Sequence, residues 1–172
     1  MINFVLPDGK KIDLDMLIDG LDDNNPEHHY FLNTQTGEVE FVLEEFEDGD
    51  VNDKLMEKID ADSSFLRIDG VSSDEKYQWM VDYSEEIIKA EDNLLYEKLL
   101  VALNGRGSFR RFKDVLGNYS DGGWLSVWYE WQRDALFEQA KEWLDNLDIE
   151  IREEVDFFDN CPACQALKDQ GV

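Results

Sequence analysis

The stretch Trp124–Leu147 constrains the fold most, because it is the longest unbroken helical pattern in the chain. Trp124, Trp128, Trp131, Ala135 and Leu136 follow one another at helical spacing, and Ala140, Trp143, Leu144 and Leu147 continue the stripe. Such a stripe must be buried against other elements. Aromatic residues at this spacing are core rather than a stacking platform for a ring or base. Tyr129 sits off the tryptophan face and is the one expected to make an exposed contact.

The elements before this helix are predicted from the same kind of patterning. Asp13 is placed to cap a helix with Leu14, Leu17, Ile18 and Leu21 on one face. Val39, Phe41 and Leu43 alternate with Glu40, Val42 and Glu44, which suits a strand with one buried face. Gly37 closes a hairpin before it, so strands are expected near 29–34, 38–43 and 64–68. Residues 47–62 are expected as a weak helix or an acidic loop. A helix with a serine cap begins near Ser72, helix continues over "DNLLYEKLLVALNG" until Asn104 and Gly105 end it, and Ser108 is expected to cap the next. Phe109 and Phe112 are expected to anchor that helix in the core.

Strands early and helices late predict an α+β fold. The expected form is a small antiparallel sheet of about three strands packed against a C-terminal group of four or five helices. Residues 1–152 are expected to form a single domain, with 153–172 as an acidic tail. The chain has 172 residues and a hydrophobic fraction of 42%, enough for a core.

A formal net charge of −25 argues against general nucleic-acid binding, since phosphates are repelled at long range. No signal pattern and no run of membrane-spanning length occurs, so a cytoplasmic location without membrane association is expected. No nucleophile or metalloprotease motif appears, and the expectation leans away from an enzyme.

Positive charge gathers in one place. In "NGRGSFRRFKDVL" the residues Arg106, Arg110, Arg111 and Lys113 follow Gly105 and Gly107. A glycine bend entering a helix N-terminus leaves N–H groups free, and arginines beside it can grip a carboxylate or phosphate. The spacing is neither a P-loop nor a dinucleotide fingerprint. The candidate binding residues are Arg106, Gly107, Ser108, Arg110, Arg111, Lys113 and Tyr129. The competing structural reading pairs these arginines with carboxylates of "DYSEE" or "DNLLYE". Because adjacent helical residues diverge by about 100°, at most one of Arg110 and Arg111 is expected to join Arg106 at an anion. The other is expected to brace an internal carboxylate.

Cys161 and Cys164 in "CPAC" are expected as a reduced pair on the tail without a cofactor; their spacing is also that of half a zinc site, which two copies each supplying a pair would complete. No other cofactor is implied. His28 and His29 are adjacent in an expected strand and point to opposite faces.

The segments "YFLNTQTGEVEFV", "FLRIDG", "GRGSFRRFKDVL" and "WYEWQRDALFEQAKEWLDNLDIE" occur in the order that identifies the uncharacterised bacterial family UPF0158. The resemblance spans about Ile12 to Ile151. Asn33 stands where the family pattern leads one to expect aspartate, and Ser108 where it leads one to expect alanine. The resemblance implies a small cytosolic bacterial protein without an established activity, and it supplies no catalytic residues. The expected function is therefore a non-enzymatic binding or interaction protein, whose basic patch on an acidic surface takes a protein partner or a small anionic ligand. Two alternatives stand beside it: an acidic decoy imitating nucleic acid to occupy a basic partner, and an enzyme acting on a phosphorylated substrate.

Overall fold

Asp13 begins the first helix as its sequence suggests: its Oδ1 accepts the Met16 N–H at 3.2 Å and α1 runs Leu14–Asp22. The structure, a computed structural model, describes residues 2–43, 50–121 and 123–155. The elements in chain order are β1 (Ile2–Val5), α1, β2 (His28–Asn33), β3 (Val39–Leu43), α2 (Asp50–Ala61), β4 (Phe65–Ile68) and α3 (Ser73–Tyr83). A π-helical turn (Ser84–Ile88) leads into α4 (Lys89–Glu91), α5 (Asn93–Leu103), α6 (Ser108–Asn118), α7 (Gly123–Asp145) and β5 (Arg152–Val155). The fold is α+β. The contacts divide the chain into one unit of Met1–Asp69 with Ala140–Val172 and a second of Gly70–Gln139, the division falling inside α7.

The first unit contains both sheets, each antiparallel. The larger has the order β3-β2-β4, and its strands lie where the alternation and the Gly37 turn placed them. Asn33 organises the turn, its Oδ1 accepting the N–H groups of Gln35 at 2.9 Å and Thr36 at 3.2 Å. An asparagine oxygen serves this purpose as well as an aspartate's. Gly37 has φ +79°, and a Cβ there would sit 2.2 Å from the Lys11 carbonyl oxygen.

The expectation of one buried face on β3 needs correction. Val39 and Val42 are both buried although they point to opposite faces, and Phe41 is 39% exposed. The register explains this. Leu32 pairs with Val39 and Tyr30 with Phe41 on one face, which meets α1 closely enough that a Cβ on Gly20 would lie 2.9 Å from Tyr30. On the other face Phe31 and Val42 cluster with Ile59 of α2. The segment expected as a weak helix or loop is thus a twelve-residue helix that covers the second face.

Strands β1 and β5 were not expected. They pair from Ile2↔Val155 to Val5↔Arg152, which takes three residues beyond Arg152 into the sheet. All four residues of β5 are exposed, so no alternation marks it in the sequence. Lys141 of α7 pairs with Glu153 at 2.7 Å and holds the strand's outer side.

At the end of α1, burial pushes the Asp23 carboxyl upward, but hydrogen bonds from the Asn25 N–H, His28 and Tyr30 outweigh it and leave the group below its ordinary range. His28 Nδ1 lies 2.5 Å from Asp23 Oδ2, and the Tyr30 hydroxyl donates to the same oxygen at 3.1 Å. This ties the helix end to β2.

In the second unit Tyr83, Phe112 and Trp128 form the buried centre. Their rings meet edge to face, at 5.2 Å between Tyr83 and Trp128 and 4.9 Å between Phe112 and Trp128. Trp131 stacks on Trp128 at 5.7 Å. Of the tryptophan stripe Trp128 is buried, while Trp124, Trp131 and Trp143 are only partly buried.

Replacing Gly37 by alanine tests the hairpin. The left-handed backbone and the close Lys11 oxygen together should cost roughly 2–4 kcal/mol of unfolding free energy in urea. A change below about 0.5 kcal/mol would contradict the turn geometry.

Candidate functional site

The candidate binding residues fall in the turn after α5, on α6 and on α7, all within the second unit. Helix α5 buries Leu95, Leu99, Ala102 and Leu103, which follow helical spacing. Asp92 caps its start by accepting the Leu95 N–H at 3.0 Å. Asn104 ends it, and Gly105 and Gly107 turn the chain with φ of +88° and +74°. No Cβ would be obstructed at Gly107, so the dihedral alone favours glycine there.

Helix α6 then starts differently from expectation. Gly107 is the N-cap and makes no side-chain cap bond, while Ser108 is the first helical residue. Ser108 is 8% exposed, and its hydroxyl has no hydrogen-bond partner among the described residues. A serine one position inside the helix has passed the point from which its oxygen reaches the orphan N–H groups. Phe112 and Leu116 are fully buried, whereas Phe109 is 39% exposed and is not the anchor expected of it.

The cations diverge. Arg111 turns back and its Nη2 donates to the Asn104 carbonyl at 2.6 Å, satisfying a terminal acceptor of α5. It braces a carbonyl, not the carboxylate that was expected. Arg110 Nε lies 3.6 Å from Asp114 Oδ2 one turn on, with the arginine side chain 88% exposed. A pair this exposed is worth little. Arg106 is exposed and has no hydrogen bond or ion pair among the described residues. Lys113 Nζ lies 5.6 Å from the ring centroid of Tyr129, so the structure joins these two candidates by a cation–π contact. Tyr129 is 48% exposed.

Two of the carboxylates offered by the structural reading, Glu85 and Asp92, are engaged elsewhere. Lys89 Nζ donates to Glu85 at 2.8 Å, and the Tyr96 hydroxyl donates to the same carboxylate. Asp92 accepts from the Tyr119 hydroxyl at 2.9 and 3.1 Å. Its cap bond to Leu95, then the Tyr119 bond, hold the Asp92 carboxyl below its ordinary range. The same bond pushes the Tyr119 hydroxyl up.

Two ties therefore hold α5 and α6 antiparallel, Arg111 at one end and Asp92 at the other. Between the helices runs a groove of about 440 Å³ with Val101, Ala102, Val115 and Tyr119 on its walls, and Lys98 and Arg111 beside them. Sequence reading did not find this groove, because it arises from the packing of two helices. Its one visible sign was Val101, an aliphatic residue off the buried stripe of α5 and 73% exposed in the structure.

Among the described residues no group of three or more histidine, cysteine or acidic side chains could hold a metal ion. Cys161 and Cys164 lie outside the described residues. No helix of the described residues is long and apolar enough to cross a membrane.

The model of the uncharacterised protein family UPF0158 matches residues 10–163. A UPF0158 protein of Pseudomonas aeruginosa is 32% identical over 139 residues, covering 81% of this chain and 84% of that one. No solved structure matches. The chain belongs to the UPF0158 family.

Asp92 is the titratable part of the hairpin's tie. Its folded pKa is depressed, so its contribution is present above about pH 4 and is lost as pH falls through the folded value. Asp92→Asn should therefore lower stability at neutral pH and flatten the loss as pH falls below about 4. Equal slopes for the variant and the parent in acid unfolding would contradict the tie.

Proposed function

Starting from that family membership, which supplies no activity, we propose that the protein is a non-enzymatic interaction protein that grips an anionic group at the start of α6. The observation carrying this reading is the freedom of Arg106 and Arg110. Arg106 has no partner among the described residues, and Arg110 has one long, exposed contact. In a chain with 41 acidic residues, cations employed as structural glue would be held by close carboxylates. Among the described residues Arg106 is held by none, and Arg110 meets Asp114 only at 3.6 Å with its side chain 88% exposed. The uncapped first turn beside them leaves N–H groups directed at the same region, and the helix terminus favours negative charge there. Arg110 is the partner of Arg106 in this role, since Arg111 is committed to Asn104.

The acidic bulk of the chain serves specificity. It repels extended polyanions, while at about 0.15 M salt its field is screened beyond roughly 8 Å, so a short acidic segment can still approach the patch.

The double substitution Arg106→Ala with Arg110→Ala separates binding from structure. Unfolding free energy should stay within about 0.5 kcal/mol of the parent. A hexaglutamate peptide titrated into the parent at about 0.15 M salt should shift amide resonances of the first turn of α6, and the double variant should lose those shifts. A destabilisation of several kcal/mol would mean that the arginines are structural. Retained shifts in the variant would also overturn the reading.

A further inference from the structure

The groove between α5 and α6 lies alongside the cationic patch, and it deepens the reading just given while resting on it. Four large apolar side chains of this hairpin are exposed, Leu94, Leu100, Val101 and Phe109, and of these Val101, 73% exposed, lines the groove beside Ala102 and Val115. Charge gathers there too. Residues 93–118 carry five cations (Lys98, Arg106, Arg110, Arg111 and Lys113) against two carboxylates (Glu97 and Asp114) in a chain of net charge −25.

We infer that the α5–α6 groove receives the apolar face of an acidic amphipathic helix of a partner protein. The backbone of the hairpin fixes the form of the occupant. Beyond their first and last turns both helices satisfy their own N–H and C=O groups, and the groove is walled by helices with no sheet edge to accept an added strand. An occupant packing into an apolar groove must therefore bring its backbone hydrogen bonds with it, which a helix does. Its apolar side chains enter between Val101 and Val115. Its carboxylates meet Lys98 and Arg111, the two cations that line the groove together with Asp114. A second copy docking face to face would set one cationic hairpin against another, which the charge count opposes.

The test uses the full chain and a blocked helical peptide of about 18 residues, five turns, with leucine on one face and glutamate elsewhere. Calorimetry should show it binding at least about tenfold more tightly than the same peptide with serine for leucine. Val101→Ser, an exposed position that leaves the fold intact, should weaken the leucine peptide about tenfold while hexaglutamate binding stays as in the parent. Equal binding of the two peptides, or no loss in Val101→Ser, would overturn the inference. Hexaglutamate binding without any gain from leucine would overturn the groove's role and leave the arginine patch standing. No binding of either peptide would overturn both. A chain dimer in sedimentation that Val101→Ser dissociates would assign the groove to a second copy and refute the partner helix.

Discussion

The tie between Arg111 and the Asn104 carbonyl decides what the rest of the cationic segment can do. It closes the turn that Gly105 and Gly107 open, and it satisfies an acceptor that α5 would otherwise leave to water. It also commits Arg111, although exposed, to a backbone acceptor. What remains is a division of labour within one short sequence. Arg111 is structural, Lys113 leans on the Tyr129 ring, and Arg106 and Arg110 reach solvent.

With Asp92 holding the opposite end through Tyr119, the two helices meet along Leu95, Leu99, Phe112 and Leu116 on the buried side. The outward side is left open as the groove. The buried side carries the energy. Phe112 packs on Trp128 and near Tyr83, and such aromatic contacts add about 0.5–1.5 kcal/mol each beyond their area. The outward side, with Lys98, Val101, Arg111, Asp114 and Val115, differs in composition from the acidic chain around it.

Much of this was legible in the residues. Asp13 and Ser72 cap their helices because a short acceptor preceding an apolar stripe has few other uses. The three-stranded sheet follows from alternation around a glycine that must take positive φ. The failures share a cause: each depends on a partner distant in sequence. The pairing of β1 with β5 joins residues about 150 positions apart, and β5 has no buried side chain to announce it. The burial of Val42 required α2 on the second face of the sheet. Within the site the type of residue was readable and the direction of its side chain was not. Arg110 and Arg111 differ in fate only because one points toward the end of α5. The Lys113–Tyr129 contact was hidden for the same reason, since it crosses from α6 to α7.

The central claim is that two of the three arginines are held in readiness while the third is spent on structure. Nitrogen-15 relaxation of the arginine Nε–H groups in the free full chain tests this most directly. Arg111 should show restricted motion, with an order parameter near that of its backbone, about 0.85, while Arg106 and Arg110 fall below about 0.6. Equal rigidity of all three would contradict the account, because it would mean that Arg106 and Arg110 are already engaged within the protein.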